Sequence, residues 1–498
     1  MKRKKDTIIF FTLLLCSLAI FYKYLTGHFA ADTFRIINIG YEEYAINYSL
    51  TDGRIFMAII GLLANMFHIP ILTYIIILQI LAIIISCISV IVLKNIIIKY
   101  KKLDSKFEKL FLIIVCYYTI FNFTYIENMY FVECFVMSLS ILFYILSADK
   151  IVEKNKNAYL KATIFIILGL ISYQGTISAF FMFVILFFML KKENYKDIGR
   201  NFIKATGIFL IGFLFDNICI ILTERIFHTM QIRGFNIEDI FTNIGFIIRY
   251  CFYIMKNTSN LFPKYLYIAF IIITSLLIYI KIIKQNRKKY NQYNQIILIE
   301  QILIIIFSIA CAFIPSVINL TGFWSARMRF SIGAIIGFLF IHIIVKTDIL
   351  KRNVIWDKLL ISTFIIYAII NSINYIYLMN LSKWVNNIDE RYVYEINDYI
   401  NVYEEENNIK VKNIGIVVIK NQVHKAYYEE MNCINVGIAV SSIRTKWATQ
   451  GIINYYTNRN LVEKEPTEEE KQEYLLKVDE SKNYLCINDT LYVSIYMY

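Results

Sequence analysis

The sequence predicts a mainly α fold: a polytopic transmembrane helical bundle followed by a small C-terminal α/β soluble domain. Three observations predict it. Of 498 residues, 58% are hydrophobic and 18% charged, with a mean hydropathy of +0.54, against roughly 45–50% apolar and about 25% charged in average soluble chains. The excess is gathered in blocks such as Ile71–Leu93, Phe202–Leu222, Leu266–Ile280 and Ile296–Phe313, each about long enough to cross ~30 Å of hydrocarbon as a helix. Four prolines in the whole chain leave little to interrupt such helices. The short alternating segments of a β-barrel are absent. The heavy use of Ile, Lys, Asn and Tyr is that of an AT-rich bacterial genome.

Taken in order, the chain opens on a basic cluster, Lys2 to Lys5, followed by an apolar run from Ile8 to Leu25. Without a small-residue cleavage site after it, and with more apolar runs to come, this reads as a first span rather than a signal peptide. Basic clusters then recur. They are Lys94, Lys99, Lys101, Lys102, Lys106 and Lys109; Lys150, Lys154, Lys156 and Lys161; and Lys191, Lys192, Lys196 and Arg200. Two more follow: Lys281, Lys284, Arg287, Lys288 and Lys289; then Lys346, Lys351, Arg352 and Lys358. Positive residues are retained in cytoplasmic loops, so pairing the spans between these clusters gives about eleven crossings. The last runs outward from about Leu359 to Leu378. Turns near Glu127 and Gln174 then lie on the outer side, and residues 380–498 lie outside with them.

Those C-terminal residues carry 13 Lys and Arg against 18 Asp and Glu, a net of −5, which leaves +18 on residues 1–379. The positive charge therefore sits in the loops of the membrane domain, where topology accounts for it, and no nucleic-acid partner is expected. Asn413–Ile419, Ile434–Val440 and Tyr492–Met497 read as strands. Glu463–Asp479 reads as a helix, with Thr467 before three glutamates as its start. The nine cysteines form no CxxC or Cys/His pattern, and seven lie in or beside apolar blocks as small hydrophobes. Cys433 and Cys486 are left to pair if the tail is outside.

Charges in outer loops or at membrane depth are expensive and mark sites. Four places hold them. The loop after the first span carries His28, Asp32, Arg35, Glu42, Glu43, Asp52 and Arg54. The second outer turn holds Tyr125, Glu127, Asn128 and Glu133. The third holds Tyr173 and Gln174. The fourth runs Trp324, Ser325, Ala326, Arg327, Met328, Arg329, and His228, Gln231 and Arg233 extend the same outer surface. Arginines outside oppose the positive-inside bias, and their rigid fork suits a phosphate. A carboxylate at the surface suits a general base for a sugar hydroxyl. The bland readings are internal ion pairs, interface anchors and aromatic-belt residues.

In order and spacing these places resemble the serotype-converting glucosyltransferase II family, which glucosylates surface glycans. That family opens with D-D-x-x-R, a glycine and a later G-R pair, similar to Asp32-Thr-Phe-Arg35, Gly40 and Gly53-Arg54. Ala31 stands where the first acidic residue would be. Glu127-Asn-Met-Tyr130, Tyr173-Gln174 and Arg327 resemble its later motifs. The resemblance implies a C-type membrane glycosyltransferase in the bacterial cytoplasmic membrane. Such an enzyme moves a hexose, glucose in this family, from a polyprenyl-phosphate donor to a glycan acceptor at the outer face. On that basis Asp32 is the expected base, and Arg35, Arg54 and Arg327 the donor-phosphate contacts, with Arg329 second to Arg327. Glu42, Glu43, Asp52, Glu127, Tyr173 and Gln174 are expected to bind substrate. No cofactor is expected. Hard cations favour carboxylate oxygens, but Asp32, Glu42, Glu43 and Asp52 have no ligand spacing that defines a metal site. Two alternatives stay open: a polymerase or ligase of lipid-linked oligosaccharides, and a lipid-linked sugar transporter, toward which Asp216-Asn217 leans.

Overall fold

The computed structural model describes residues 2–103, 105–153, 156–191, 195–228, 248–249, 252–285, 292–315, 325–347, 355–419, 438–479 and 482–496. Trp324, Gln231, Arg233, Cys433 and the 434–437 part of the second expected strand lie outside these residues.

The described chain is mostly helix. Its first half runs α1 (Lys2–Leu25), α2 (Ala31–Tyr44), a π-helical stretch (Ala45–Leu50), α3 (Ile55–Met66), α4 (Ile71–Tyr100), α5 (Lys106–Ile120), the one-turn α6 (Tyr125–Tyr130) and α7 (Cys134–Glu153). Then come α8 (Lys156–Ser172), α9 (Ser178–Leu190), α10 (Tyr195–Phe227), α11 (Leu266–Gln285), α12 (Gln292–Cys311), α13 (Ile335–Lys346) and α14 (Ile355–Asn407). Eight helices among the described residues are long and apolar enough to cross a membrane. Every residue of α9 and α13 is buried, so these two form the centre of the bundle. Helix α7 packs against α4, α8 and α9. The outer helices turn apolar side chains away from the protein: Leu214, Ile218 and Ile221 on α10, Leu276 on α11, Ile302 and Ile306 on α12, Ile369 and Ile373 on α14 are all exposed. Such faces suit hydrocarbon, since water-exposed apolar surface of this extent is rare in soluble monomers.

The lysine clusters are partly neutralised where helices meet. Lys94 pairs with Asp6 at 2.6 Å, Lys99 with Asp149 at 2.9 Å, Lys281 with Asp357 at 2.6 Å and Lys346 with Glu300 at 3.1 Å. All of these lie at one end of the bundle, near the C-terminal ends of α4, α7, α11 and α13. The turns that follow α1, α5 and α8 lie at the other.

One sequence expectation needs correction and two gain detail. The segment after α1 is not a loop but helix through most of its length. Phe34 and Ala31 on its inner face pack into a core with Val393, Ile396, Ile400, Ile452 and Ile453, and that apolar seam sustains the helix despite its charges. Next, the helix that holds the last expected span continues past residue 380. Helix α14 runs 53 residues without interruption, about 80 Å at helical rise, because apolar positions continue at helical spacing after the composition turns polar. Finally, the C-terminal helix α16 spans Glu468–Lys477, capped by Thr467 where the sequence puts its start, so the residues from Glu463 to Pro466 precede it. Thr467 Oγ1 accepts from Glu470 N while the Glu470 carboxylate takes the Thr467 N–H, the reciprocal pair the sequence indicated. Glu463 belongs to a strand instead.

The C-terminal residues form a four-stranded sheet in the order β2-β1-β4-β3. Its strands are β1 (Asn413–Ile419), β2 (Val462–Lys464), β3 (Tyr484–Ile487) and β4 (Thr490–Tyr496). Strand β1 is parallel to both neighbours, and β3 and β4 form an antiparallel hairpin. The strand period of two sends Leu491 and Val493 toward α14 and α15 (Thr449–Thr457), and Tyr492 toward α16. Ile438, Ala439 and Val440, the described part of the expected middle strand, lie in a turn, a bend and irregular chain rather than in a strand.

Candidate functional site

The four polar places, far apart in sequence, meet at the end of the bundle opposite the lysine clusters. Arg327 is the hub. Residues Ala326–Arg329 form one 3-10 turn ahead of α13, and this turn is pinned by Glu127 on α6. The Glu127 carboxylate accepts from Ser325 Oγ (2.5 Å), from the Arg327 backbone N–H (2.8 Å) and from Arg327 Nη1 (3.4 Å). Arg327 Nε donates to Tyr173 Oη at 3.2 Å, and its guanidinium lies 3.8 Å from the centre of the Phe131 ring. A buried arginine costs several kcal/mol of desolvation unless paired and hydrogen-bonded, and these partners supply both.

A second arginine approaches the same tyrosine. Arg54 lies over the Tyr173 ring at 5.2 Å and pairs with Asp52 (3.1 Å) and Glu133 (3.2 Å). Glu133 also accepts from Tyr44 Oη at 2.8 Å. Gly53, the residue before it, has a φ of 74°, and a Cβ there would sit 2.6 Å from Gln174 Nε2 and 2.9 Å from Asp216 Oδ1. Only glycine allows both the left-handed backbone and this approach. Gln174 Nε2 donates to the Asp52 carbonyl (2.9 Å) and to Asp216 Oδ2 (3.0 Å), which draws α10 into the cluster. Asp216 Oδ1 is buried and has no hydrogen-bond partner among the described residues.

Asp32 sits in the first turn of α2, half-buried, and accepts from Trp447 Nε1 at 3.0 Å. Burial, then the charge of Glu133, raise its carboxyl above the ordinary value, against the opposing pull of Arg35, Arg327 and the Trp447 N–H. Arg35, one turn on, lies 4.5 Å from the Tyr48 ring centre and 5.0 Å from that of Trp447. The approach to Asp32 is fixed by His28. Gln79 Nε2 lies 3.1 Å from its Nδ1, and its Nε2 lies 2.7 Å from the Tyr130 carbonyl. An Nε2 that donates to that carbonyl leaves Nδ1 to accept from Gln79, which is the neutral imidazole, and burial pushes the His28 pKa down to about 4.

Three of the expected residues stand apart from this cluster. Glu42 and Glu43 are exposed, and Glu42 accepts from Asn65 on α3. Arg329 is fully buried and donates through Nη1 to the Ala312 carbonyl at the end of α12. Asp32, Glu42, Glu43 and Asp52 therefore do not converge as a cation site. Several participants were not among the expected site residues, Glu133, Asp216, Phe131 and Trp447 with them. Glu133 and Asp216 carry the sequence signal of a carboxylate at membrane depth. Phe131 and Trp447 carry none.

Comparisons with known proteins add no name to this geometry: no family model, curated protein or solved structure matches the chain.

Proposed function

We propose that this chain is a membrane glycosyltransferase that moves a hexose from a polyprenyl-phosphate donor onto a cell-surface glycan at the outer face of a bacterial cytoplasmic membrane. The convergence of four polar segments on one tyrosine-centred cluster carries the reading. With α5, α8 and α9 counted beside the eight long helices, and α2 and α3 kept on the side of the cluster, the spans number about eleven. That threading puts the lysine clusters inside, and the polar cluster and the C-terminal sheet outside.

The donor reaches such a site from the bilayer, so no nucleotide-binding domain is required. Arg54 and Arg327, both against Tyr173, offer two guanidinium forks for its phosphate. The bond between the anomeric carbon and the phosphate oxygen breaks, and the electron pair leaves with the phosphate, where the arginine charge stabilises it. The carbon gains oxocarbenium-like charge and is attacked by the acceptor hydroxyl, whose proton passes to a carboxylate. Asp52, Glu127 and Glu133 are each paired with an arginine. Asp32 makes no ion pair among the described residues and carries a raised pKa, which suits it to accept that proton. General-base assistance of this kind accelerates a step by roughly 10²–10⁴-fold.

Deleting the gene and analysing the extracted surface glycan tests the proposal. Loss of one side-branch sugar, restored by the wild-type chain and not by Asp32→Asn at equal protein level, is the expected result. A glycan that shortens without losing a branch points to a polymerase instead, and an unchanged glycan removes both readings.

A further inference from the structure

We infer that Trp447, from the C-terminal α/β segment, is the platform on which the acceptor glycan stacks, so that this segment completes the site. The inference rests on the transferase reading above and names the substrate that a surface of the same site takes.

Trp447 is 50% exposed, an unusual state for the largest side chain when it is also held in place. Its fixation is extensive. Asp389 on α14, fully buried, accepts from Ser441 Oγ at 2.5 Å and from the Ser442 N–H at 2.6 Å, which fastens the start of the loop that carries Trp447. The loop then closes on itself through Thr445 Oγ1 to the Ser441 carbonyl and Thr449 Oγ1 to the Ile443 carbonyl. Directly after it, α15 lies against α2. Gly451 there comes so near the Phe34 carbonyl that a Cβ would sit 2.1 Å away, and Asn38 Nδ2 donates to Gln450 Oε1 at 2.8 Å. Ala31 and Phe34 of α2 share one core with Ile452 and Ile453 of α15. The helix that holds Asp32 and the segment that holds Trp447 are therefore packed as one body.

The indole meets Asp32 in a specific way. Its N–H is given to Oδ1, and no hydrogen bond reaches Oδ2 among the described residues. Arg35 lies against the ring, between Trp447 and Tyr48. An anchor in the membrane interface would turn its N–H to lipid head groups and water, whereas here the polar handle is spent on the carboxylate, Arg35 lies against the ring, and half of the side chain's surface stays exposed. A pyranose has one face of C–H groups and a rim of hydroxyls, and an aromatic ring takes the face while a neighbouring carboxylate takes a hydroxyl. Stacking on Trp447 brings that rim to Asp32. The phosphate side of the cluster, around Arg54, Arg327 and Tyr173, belongs to other elements, so the indole serves the acceptor rather than the lipid donor.

The test uses the full chain in nanodiscs and, as probe, surface glycan extracted from the deletion strain. Binding is measured without donor for wild type, Trp447→Ala and Trp447→Phe. The expected result is about tenfold weaker glycan binding by Trp447→Ala, the equivalent of about 1.4 kcal/mol, with most of it recovered by Trp447→Phe and polyprenyl-phosphate binding unchanged in both. Hydroxyl-radical footprinting of the unmutated chain gives a second reading, in which glycan suppresses oxidation of Trp447. Equal glycan affinity in wild type and Trp447→Ala, or oxidation of Trp447 indifferent to glycan, overturns the inference. Sugar transfer by the wild type is assayed in parallel. Trp447-dependent glycan binding without transfer keeps the platform and removes the transferase reading, whereas transfer with Trp447-independent binding does the reverse.

Discussion

Replacing Arg327 separates charge from geometry at the hub of the cluster. In Arg327→Ala the ion pair with Glu127, the bond to Tyr173 and the stacking on Phe131 disappear. Breaking a buried pair from one side costs about 3–5 kcal/mol. Glu127 keeps two donors in this variant, the Ser325 hydroxyl and the backbone N–H of position 327, so the loss falls at the low end, about 3 kcal/mol. Arg327→Lys retains the charge but not the fork. It gives up the Tyr173 bond, about 1 kcal/mol, and part of the guanidinium stacking, about 1 kcal/mol more. Thermal unfolding of purified protein, followed by tryptophan emission, ranks the three chains. The lysine variant, folded and charged, is then assayed for donor use. If two forked guanidinium groups hold the phosphate, its donor KM rises by roughly tenfold, the worth of one charge-assisted hydrogen bond. A lysine variant that uses donor as well as wild type would refute the phosphate role, and an alanine variant as stable as wild type would refute the hub.

Further outcomes follow from the same geometry. Because the Asp32 pKa is raised and the base must be ionised, transfer is lost as pH falls through a value above the ordinary carboxylate range. Trp447→Phe removes a donor that lowers this pKa, so the acid limb of the pH profile moves to higher pH. Gly53→Ala forces a Cβ onto Gln174 and Asp216 at a positive φ and destabilises the chain by about 1–3 kcal/mol, read by thermal unfolding. Glu42→Gln and Glu43→Gln, on the exposed face of α2, leave the transfer rate within about twofold, as surface changes do. Glu300→Ala removes the carboxylate that His342 and Lys346 share, their nitrogens lying 2.7 and 3.1 Å from its oxygens. It lowers thermal stability by about 3–5 kcal/mol, without changing the acceptor KM.

Much of this molecule is legible in its sequence because lipid imposes long apolar runs and restricts where charge can sit. Glu127, Tyr173, Arg54 and Arg327 stand out for that reason, being polar groups where the bilayer rule disfavours them. What brings them together is tertiary and leaves no local mark. Arg54 finds Glu133 seventy-nine positions away, and nothing in either segment specifies the other. The stretch from Asp32 to Leu50 reads as a loop because its charges outweigh its sparse apolar seam, and the partner that stabilises the seam is more than three hundred residues distant. The polar turn at residue 380 reads as a domain boundary because composition changes there while helical periodicity does not. Trp447 carries no signal at all, since the polar residues on either side of it form no pattern.

The most direct measurement of the central claim is sugar transfer by the purified chain reconstituted in vesicles, with radiolabelled polyprenyl-phosphate hexose as donor and deletion-strain glycan as acceptor. The account predicts label moved to the glycan as single branches by wild type, and a fall of roughly 10²–10⁴-fold in Asp32→Asn. Label that stays on the lipid with wild type, or moves equally fast with Asp32→Asn, contradicts it.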